Sequence, residues 1–154
     1  MILDDFGQWP LAYTPYGGAD FGELQAIAAT VGDGGVDEYY AAFTGMAGRL
    51  AAEADAAQAA GHLASARQAY LRASSYYAAS YHPLYGSPVD PRLLDAFDKQ
   101  VAQLDKGLAL GDEPCTPARI PYDDTTLPGY LIPAPGAAGQ KRPTIIFTNG
   151  YDAT

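Results

Sequence analysis

The spacing of apolar residues changes near Gly111, and this change constrains the fold more than any other feature of the chain. Before Gly111 the apolar residues recur at steps of three and four, which is the period of one face of a helix. After Gly111 they lie in short runs between turn residues, as strands do. The sequence therefore predicts a helical domain over residues 1–111 and the opening strands of a sheet over residues 112–154.

Four helices are predicted in the first part of the chain. Asp20 and Asp90 are clear start signals, because an aspartate side chain can accept a hydrogen bond from a free N–H of the first helical turn. Pro91 strengthens the second signal, since proline suits the first turn. The predicted spans are about 20–31, 36–60, 62–81 and 90–110, and residues 1–19 are expected to form an irregular leader.

The second part of the chain predicts strands. Arg119–Tyr122 and Leu127–Ile132 should form a hairpin, because the residues between them have the composition of a turn. Thr144–Thr148 is apolar without alternation, which is typical of a strand covered on both faces. Such a strand needs neighbours that this part of the chain does not supply, so we expect an incomplete α/β domain. The alternative is a small α+β protein that ends at Thr154.

Composition narrows the classes of function. The formal net charge is -9, which would repel a phosphate backbone, so no nucleic-acid partner is expected. No segment has the pattern of a membrane span or a signal peptide, and a cytoplasmic protein without membrane contact is expected. Cys115 is the only cysteine, and His62 and His82 lack metal-ligand spacing. His62 is assigned to a helix start, and His82 is assigned to a helix end or a loop. Neither a metal nor a cofactor is expected.

Tyrosine is abundant, with twelve in the chain, and several fall close together. One interpretation is a helix surface on which the rings are buried and the hydroxyls lie at the rim. The other is the wall of an aromatic substrate pocket. The residues predicted to contact a substrate under the second interpretation are Tyr76, Tyr77, Tyr81 and Tyr85.

The order of the segments resembles a known family. Four segments carry the resemblance: Tyr16–Glu23, the helical stretch Gly61–Tyr77, Ile120–Leu131 and Arg142–Asp152. Together they resemble α/β-hydrolases with an N-terminal helical lid or cap domain, a group that includes 2,6-dihydroxypseudooxynicotine hydrolase and dipeptidyl-aminopeptidase-like proteins. The resemblance implies a serine hydrolase that cleaves an ester, an amide or an activated carbon–carbon bond of a small molecule. In this family the Ser, Asp and His of the triad follow the third strand, so none is assigned here.

The resemblance also implies one half of an oxyanion hole. In the family, the turn after the third strand supplies a backbone N–H to the hole, and here that turn is Asn149–Asp152. Gly150 can adopt the angles that turn the next amide toward the cleft, so the N–H of Tyr151 is the predicted donor. A fragment that lacks the triad is expected to be inactive alone. A further hypothesis is that the full-length protein forms a homodimer. The alternative function is a noncatalytic helical binding module with a short β appendage.

Overall fold

The computed structural model describes residues 2–7, 9–112, 115–134, 136 and 139–148. The chain divides into two compact units, Met1–Leu110 and Gly111–Thr154. The described residues of the first unit are largely helical, and those of the second unit include one two-stranded sheet.

Five α-helices lie within the described residues of the first unit. They are α1 (Ile2–Phe6), α2 (Phe21–Val31), α3 (Val36–Ala59), α4 (Leu63–Tyr81) and α5 (Pro91–Ala109). Two 3-10 segments, Trp9–Tyr16 and His82–Leu84, complete the unit. The predictions of the four long helices are confirmed.

The expectation of an irregular leader over residues 1–19 is wrong. Helix α1 and the first 3-10 segment occupy most of this stretch. Their sequence has no sustained helical period, and packing orders them instead. Pro10 is buried, while Leu3 and Trp9 pack against the core.

The helix starts follow the capping residues. Asp20 Oδ1 accepts a hydrogen bond from the Glu23 N–H at 3.1 Å, and Asp90 Oδ1 accepts one from the Arg92 N–H at 2.9 Å. Helix α3 starts differently, because the carboxylate of Glu38 accepts a hydrogen bond from the preceding Gly35 N–H at 2.9 Å. Each contact satisfies an N–H near a helix start that has no partner within the helix.

Helix α4 is the centre of the unit and packs against both α3 and α5. The α3–α4 contact is built on small side chains that allow the helix backbones to approach closely. Ala47, Ala54, Ala66 and Ala73 are all fully buried. Helix α2 packs on α3 and adds Leu24, Ile27 and Val31 to the buried core.

The apolar stripe that predicts α5 is not the face that packs most tightly. Leu94 and Phe97 are 56% and 37% exposed, whereas Ala96, Gln100 and Gly107 are buried. Helix α5 lies so close to α4 that a Cβ at Gly107 would come within 2.9 Å of the Leu71 side chain. Small residues therefore form this contact, and the larger apolar side chains lie to the side of it.

The second unit contains an antiparallel hairpin of β1 (Thr116–Tyr122) and β2 (Thr125–Leu131). The hairpin is confirmed, although its strands begin earlier than the sequence predicts, because the pairing continues to Thr116 opposite Leu131. Asp123 has φ of 46° at the turn, a left-handed conformation that aspartate tolerates better than most residues.

The third predicted strand is not formed. Thr144–Thr148 has no assigned secondary structure, and Ile145, Ile146 and Phe147 are 90%, 87% and 85% exposed. A strand is stabilised by the hydrogen-bond ladder to a neighbour, and the sheet formed by the described residues contains only β1 and β2. The predicted turn at Asn149–Asp152, with Gly150 and Tyr151, lies outside the described residues.

Candidate functional site

The four tyrosines predicted to contact a substrate have different surroundings. Tyr76, Tyr77 and Tyr81 are buried within the helical unit, at 0%, 7% and 0% exposure. Tyr85 follows the second 3-10 segment and is 49% exposed. Of the four, therefore, Tyr85 alone offers a large accessible surface in this unit.

Tyr76 joins α4 to the start of α2. Its hydroxyl accepts a hydrogen bond from the Asp20 N–H at 2.9 Å and donates one to Glu23 Oε2 at 2.8 Å. Arg72, one turn earlier on α4, pairs with the same Glu23 carboxylate at 3.0 Å. Burial is the main cause that raises the pKa of Tyr76. The network therefore holds the phenol neutral and fixes two helices together.

Tyr81 makes a similar link between α4 and α5. Its hydroxyl donates a hydrogen bond to the side-chain oxygen of the buried Gln100. The hydroxyl of Ser74 donates to the backbone carbonyl of the same residue at 3.0 Å. These contacts satisfy polar groups in a buried interface, where an unmade hydrogen bond would be costly.

Six aromatic rings from three parts of the unit form one contact chain, here called the ring cluster. Its members are Trp9, Tyr13, Tyr81, His82, Tyr85 and Phe97. His82 is in the middle, with ring centroids 5.0 Å from Trp9, 5.8 Å from Tyr81 and 5.5 Å from Tyr85. The sequence assigned His82 only to a helix end or a loop. The sequence does not predict that Trp9, which is far from His82 along the chain, contacts the His82 ring.

A second polar cluster joins α3, α4 and α5. The Tyr70 hydroxyl donates to Asp55 Oδ1 at 2.5 Å, and Lys106 Nζ donates to the same oxygen at 2.8 Å. Lys106 also lies 5.1 Å from the centroid of the Tyr70 ring. Hydrogen bonds from Lys106 and Tyr70 lower the pKa of Asp55, whereas burial raises the pKa of Tyr70 to about 12. These contacts connect three helices and leave Tyr70 protonated, which suits a structural role.

A groove of about 290 Å³ lies between α2 and α3. Most of its wall is made of small or apolar side chains, and the hydroxyl of Thr30 donates back to the Ala26 carbonyl at 2.9 Å. The guanidinium of Arg49 at its edge lies 3.6 Å from the Glu53 carboxylate. The wall offers no pair of acid and base groups, so the groove is a weak candidate for chemistry.

The described part of the chain has neither a metal-binding cluster nor a membrane-spanning helix. Among those residues, no three His, Cys, Asp or Glu side chains lie together as a metal site would require. No helix there combines the length and the apolar character needed to cross a membrane.

The known proteins to which this chain is similar are named as hydrolases. The chain is 42% identical to hydrolase acrC of Aspergillus aculeatus, over 94% of this chain and 37% of the relative. It is 38% identical to 20-hydroxy-prefusarin hydrolase FUS2 of Gibberella moniliformis, over 94% of this chain and 35% of the relative. It is 35% identical to alpha/beta hydrolase psoB of Aspergillus fumigatus, over 94% of this chain and 34% of the relative. No family model matches the chain.

The chain spans about a third of the length of these relatives. The predicted fold class is a helical part followed by the opening strands of an α/β-hydrolase sheet. The names of the relatives and the helices and hairpin described above confirm it. The names agree with the predicted family at the level of α/β-hydrolases.

Proposed function

We propose that this chain is the N-terminal part of a serine hydrolase that cleaves an ester, an amide or an activated carbon–carbon bond of a small molecule. The observation that carries the proposal is the similarity, over 94% of the chain, to proteins named hydrolases. The resemblance of the segment order to α/β-hydrolases with a helical domain supports the serine mechanism.

In that mechanism a serine oxygen attacks the reacting carbonyl carbon while a histidine accepts the serine proton. Negative charge then develops on the carbonyl oxygen, and fixed backbone N–H groups stabilise it. We propose that the triad belongs to a longer protein that includes this chain. The contributions proposed for this chain are one oxyanion donor and part of the surface that selects the substrate.

The proposed oxyanion donor is the backbone N–H of Tyr151, with Gly150 giving the turn its conformational freedom. This assignment rests on the sequence resemblance, in which Thr144–Thr148 corresponds to the third strand. Loss of one such donor costs about 3 kcal/mol of transition-state stabilisation, so kcat should fall about 100-fold or more.

The variant Tyr151→Pro in the full-length enzyme tests the donor, because proline has no N–H. Tyr151→Phe is the matched control, since it removes the phenol and keeps the backbone donor. A folded Tyr151→Pro enzyme with normal kcat would exclude Tyr151 as the donor.

Reaction with a fluorophosphonate probe tests the proposed function itself. The full-length protein should be labelled on one serine and should hydrolyse p-nitrophenyl butyrate. The 154-residue chain alone should do neither. A folded full-length protein that is neither labelled nor active would favour the noncatalytic binding module. Turnover by the isolated chain, well above the rate in buffer, would contradict a triad located elsewhere.

A further inference from the structure

The groove between α2 and α3 has a buried apolar floor. Ile27 on α2 and Ala42 on α3 both line it, and they are 2% and 8% exposed. Ala26 and Ala41 form part of its walls. These short side chains leave a volume of about 290 Å³, which is near the lower end of the range of about 300–1,000 Å³ for small-molecule sites. The groove therefore has the size and the surface for a small apolar group.

Gly45 keeps the groove open although it weakens the helix that carries it. It lies in the interior of α3 and lines the groove, and a glycine there is less favourable than an alanine. A Cβ at this position would meet nothing within 4 Å. Packing within the described chain therefore does not require a glycine, and the missing side chain acts on the space inside the groove.

The groove has a positive charge at one end. Among the described residues that line it, Arg49 is the only charged one. Its guanidinium donates a hydrogen bond to the sulfur of Met46, which also lines the groove. The Glu53 carboxylate lies 3.6 Å from Arg49 Nε, and the two side chains are 59% and 60% exposed. Such an exposed ion pair is weak because water and salt screen it, so the guanidinium can bind a second carboxylate.

These features define an amphipathic ligand with an acceptor at one end. Arginine binds a carboxylate through two parallel hydrogen bonds, and such charge-assisted bonds are stronger than neutral ones. The apolar floor stabilises an alkyl chain by removing it from water. From Ala41 to Arg49 the lining stretch of α3 is about 12 Å long at a rise of about 1.5 Å per residue, which is comparable to the length of an extended octanoate.

We propose that the groove between α2 and α3 binds a small amphipathic carboxylate. Its alkyl chain lies on Ile27 and Ala42 and passes Gly45, and its carboxylate pairs with Arg49. This proposal goes beyond the proposed function, because it assigns a ligand site that needs no catalytic residue. Its test measures binding alone, so the outcome does not depend on whether the full-length protein is a hydrolase.

Met46 gives a direct measurement of binding in the groove. The chain has two methionines, so methyl-¹³C-methionine labelling gives two methyl signals, and Met46→Leu identifies the one that belongs to the groove. Titration with octanoate should shift this signal saturably at about 0.15 M salt, where repulsion by distant charges of the acidic chain is screened. The uncharged analogue 1-octanol should bind about threefold more weakly, because it lacks the charge-assisted hydrogen bonds.

Two glycine-to-alanine changes on α3 test the space in the groove. Gly45→Ala places a methyl group in the groove, so it should weaken octanoate about fourfold, the equivalent of one methylene that is no longer buried. Gly48→Ala is the matched control, because Gly48 is not a lining residue and a Cβ there would lie 3.5 Å from the Tyr77 hydroxyl, an ordinary contact distance. It should leave the affinity unchanged. Both changes should raise the thermal midpoint through helix propensity, so weaker binding would not reflect unfolding.

Three charge variants test the carboxylate. Arg49→Gln should bring the affinities for octanoate and 1-octanol to within about twofold of each other, because it removes the charged donor. Glu53→Gln should strengthen octanoate binding about twofold, since it removes the carboxylate that competes for Arg49. Lys99→Gln on α5 changes the net charge as Arg49→Gln does, but Lys99 pairs with Asp95. It should therefore leave the preference for octanoate unchanged.

Four results would overturn the proposal. The first three are no saturable shift of the Met46 signal, equal effects of Gly45→Ala and Gly48→Ala on the affinity, and an unchanged preference for octanoate in Arg49→Gln. The fourth concerns a different occupant of the groove. Analytical ultracentrifugation should give the same oligomeric state for the unchanged chain and for Gly45→Ala. A dimer that Gly45→Ala dissociates would show that a second copy of the chain fills the groove.

Discussion

The hydroxyl of Tyr76 on α4 donates a hydrogen bond to the carboxylate of Glu23 on α2 at 2.8 Å, across a separation of 53 residues. The same hydroxyl accepts the N–H of Asp20, the capping residue of α2. One buried phenol therefore completes the start of α2 and attaches that helix to the centre of the unit.

Tyr76→Phe should destabilise the chain, since it keeps the ring and removes both hydrogen bonds. The Asp20 N–H would lose its partner and Glu23 Oε2 would keep only Arg72, at a cost of about 1–3 kcal/mol. The midpoint of urea unfolding, followed by circular dichroism, measures this loss. Tyr16→Phe at an 85% exposed position is the control and should change stability by less than about 0.5 kcal/mol. Equal effects of the two variants would show that the Tyr76 contacts contribute no stability.

The buried tyrosines predict a loss of stability at alkaline pH. Burial is the main cause that raises the pKa of Tyr39, Tyr76 and Tyr77, and it raises that of Tyr70 to about 12. In the unfolded chain a tyrosine ionises near pH 10. The neutral, buried tyrosines therefore contribute their full share to the free energy of unfolding below about pH 10. This contribution is lost as the pH rises toward the pKa values of the folded state.

Helical circular dichroism should therefore fall between about pH 10 and pH 12, together with the rise in phenolate absorbance at 295 nm. Tyr70→Phe removes one of these groups while leaving the ring in place, so it should make the transition less steep. Full ionisation of all tyrosines near pH 10 with intact helices would contradict the prediction.

The helix starts were the most predictable part of the fold, because their signals are local. Asp20, Asp90 and Pro91 act within one helical turn, and the structure places each at the start of its helix. The hairpin was also predictable from Asp123 and Asp124, although its length was not. Strand length depends on how far pairing continues, and the sequence of one strand does not contain that information.

The parts that the sequence did not predict depend on contacts between distant residues. Nothing in the sequence around Trp9 indicates that its ring centroid lies 5.0 Å from that of His82. Likewise, nothing in the sequence of α5 indicates that its face of small residues at Gly107 packs on α4, because larger apolar residues dominate the helical pattern. Thr144–Thr148 has a strand-like composition, but a strand also needs a partner to pair with.

Limited proteolysis should cut the chain first in residues 111–117 or 133–140. These stretches lie at the two ends of the hairpin, the first overlapping only the first two residues of β1, and they are rich in Gly, Pro or Ala, whereas α4 is largely buried. Cleavage needs local opening of the backbone, which is cheapest outside packed helices. Mass spectrometry of the first fragments identifies the sites. Early cuts within residues 62–80 would contradict this prediction, because they would require α4 to open before the connecting segments.

The contact between α5 and α4 predicts opposite effects for two glycine-to-alanine changes. A Cβ at Gly107 would lie 2.9 Å from Leu71 Cδ2 and 3.1 Å from Leu71 Cγ, so in Gly107→Ala the Leu71 side chain has to move to make room for the added methyl group. We expect a loss of about 1–3 kcal/mol, typical of overpacking. Gly45 is interior to α3, and a Cβ there would meet nothing within 4 Å. Gly45→Ala should therefore stabilise the chain by about 0.5–1 kcal/mol through helix propensity. Thermal unfolding of both variants measures the difference, and a Gly107→Ala chain as stable as Gly45→Ala would show that the contact with Leu71 accommodates the added methyl group at no cost.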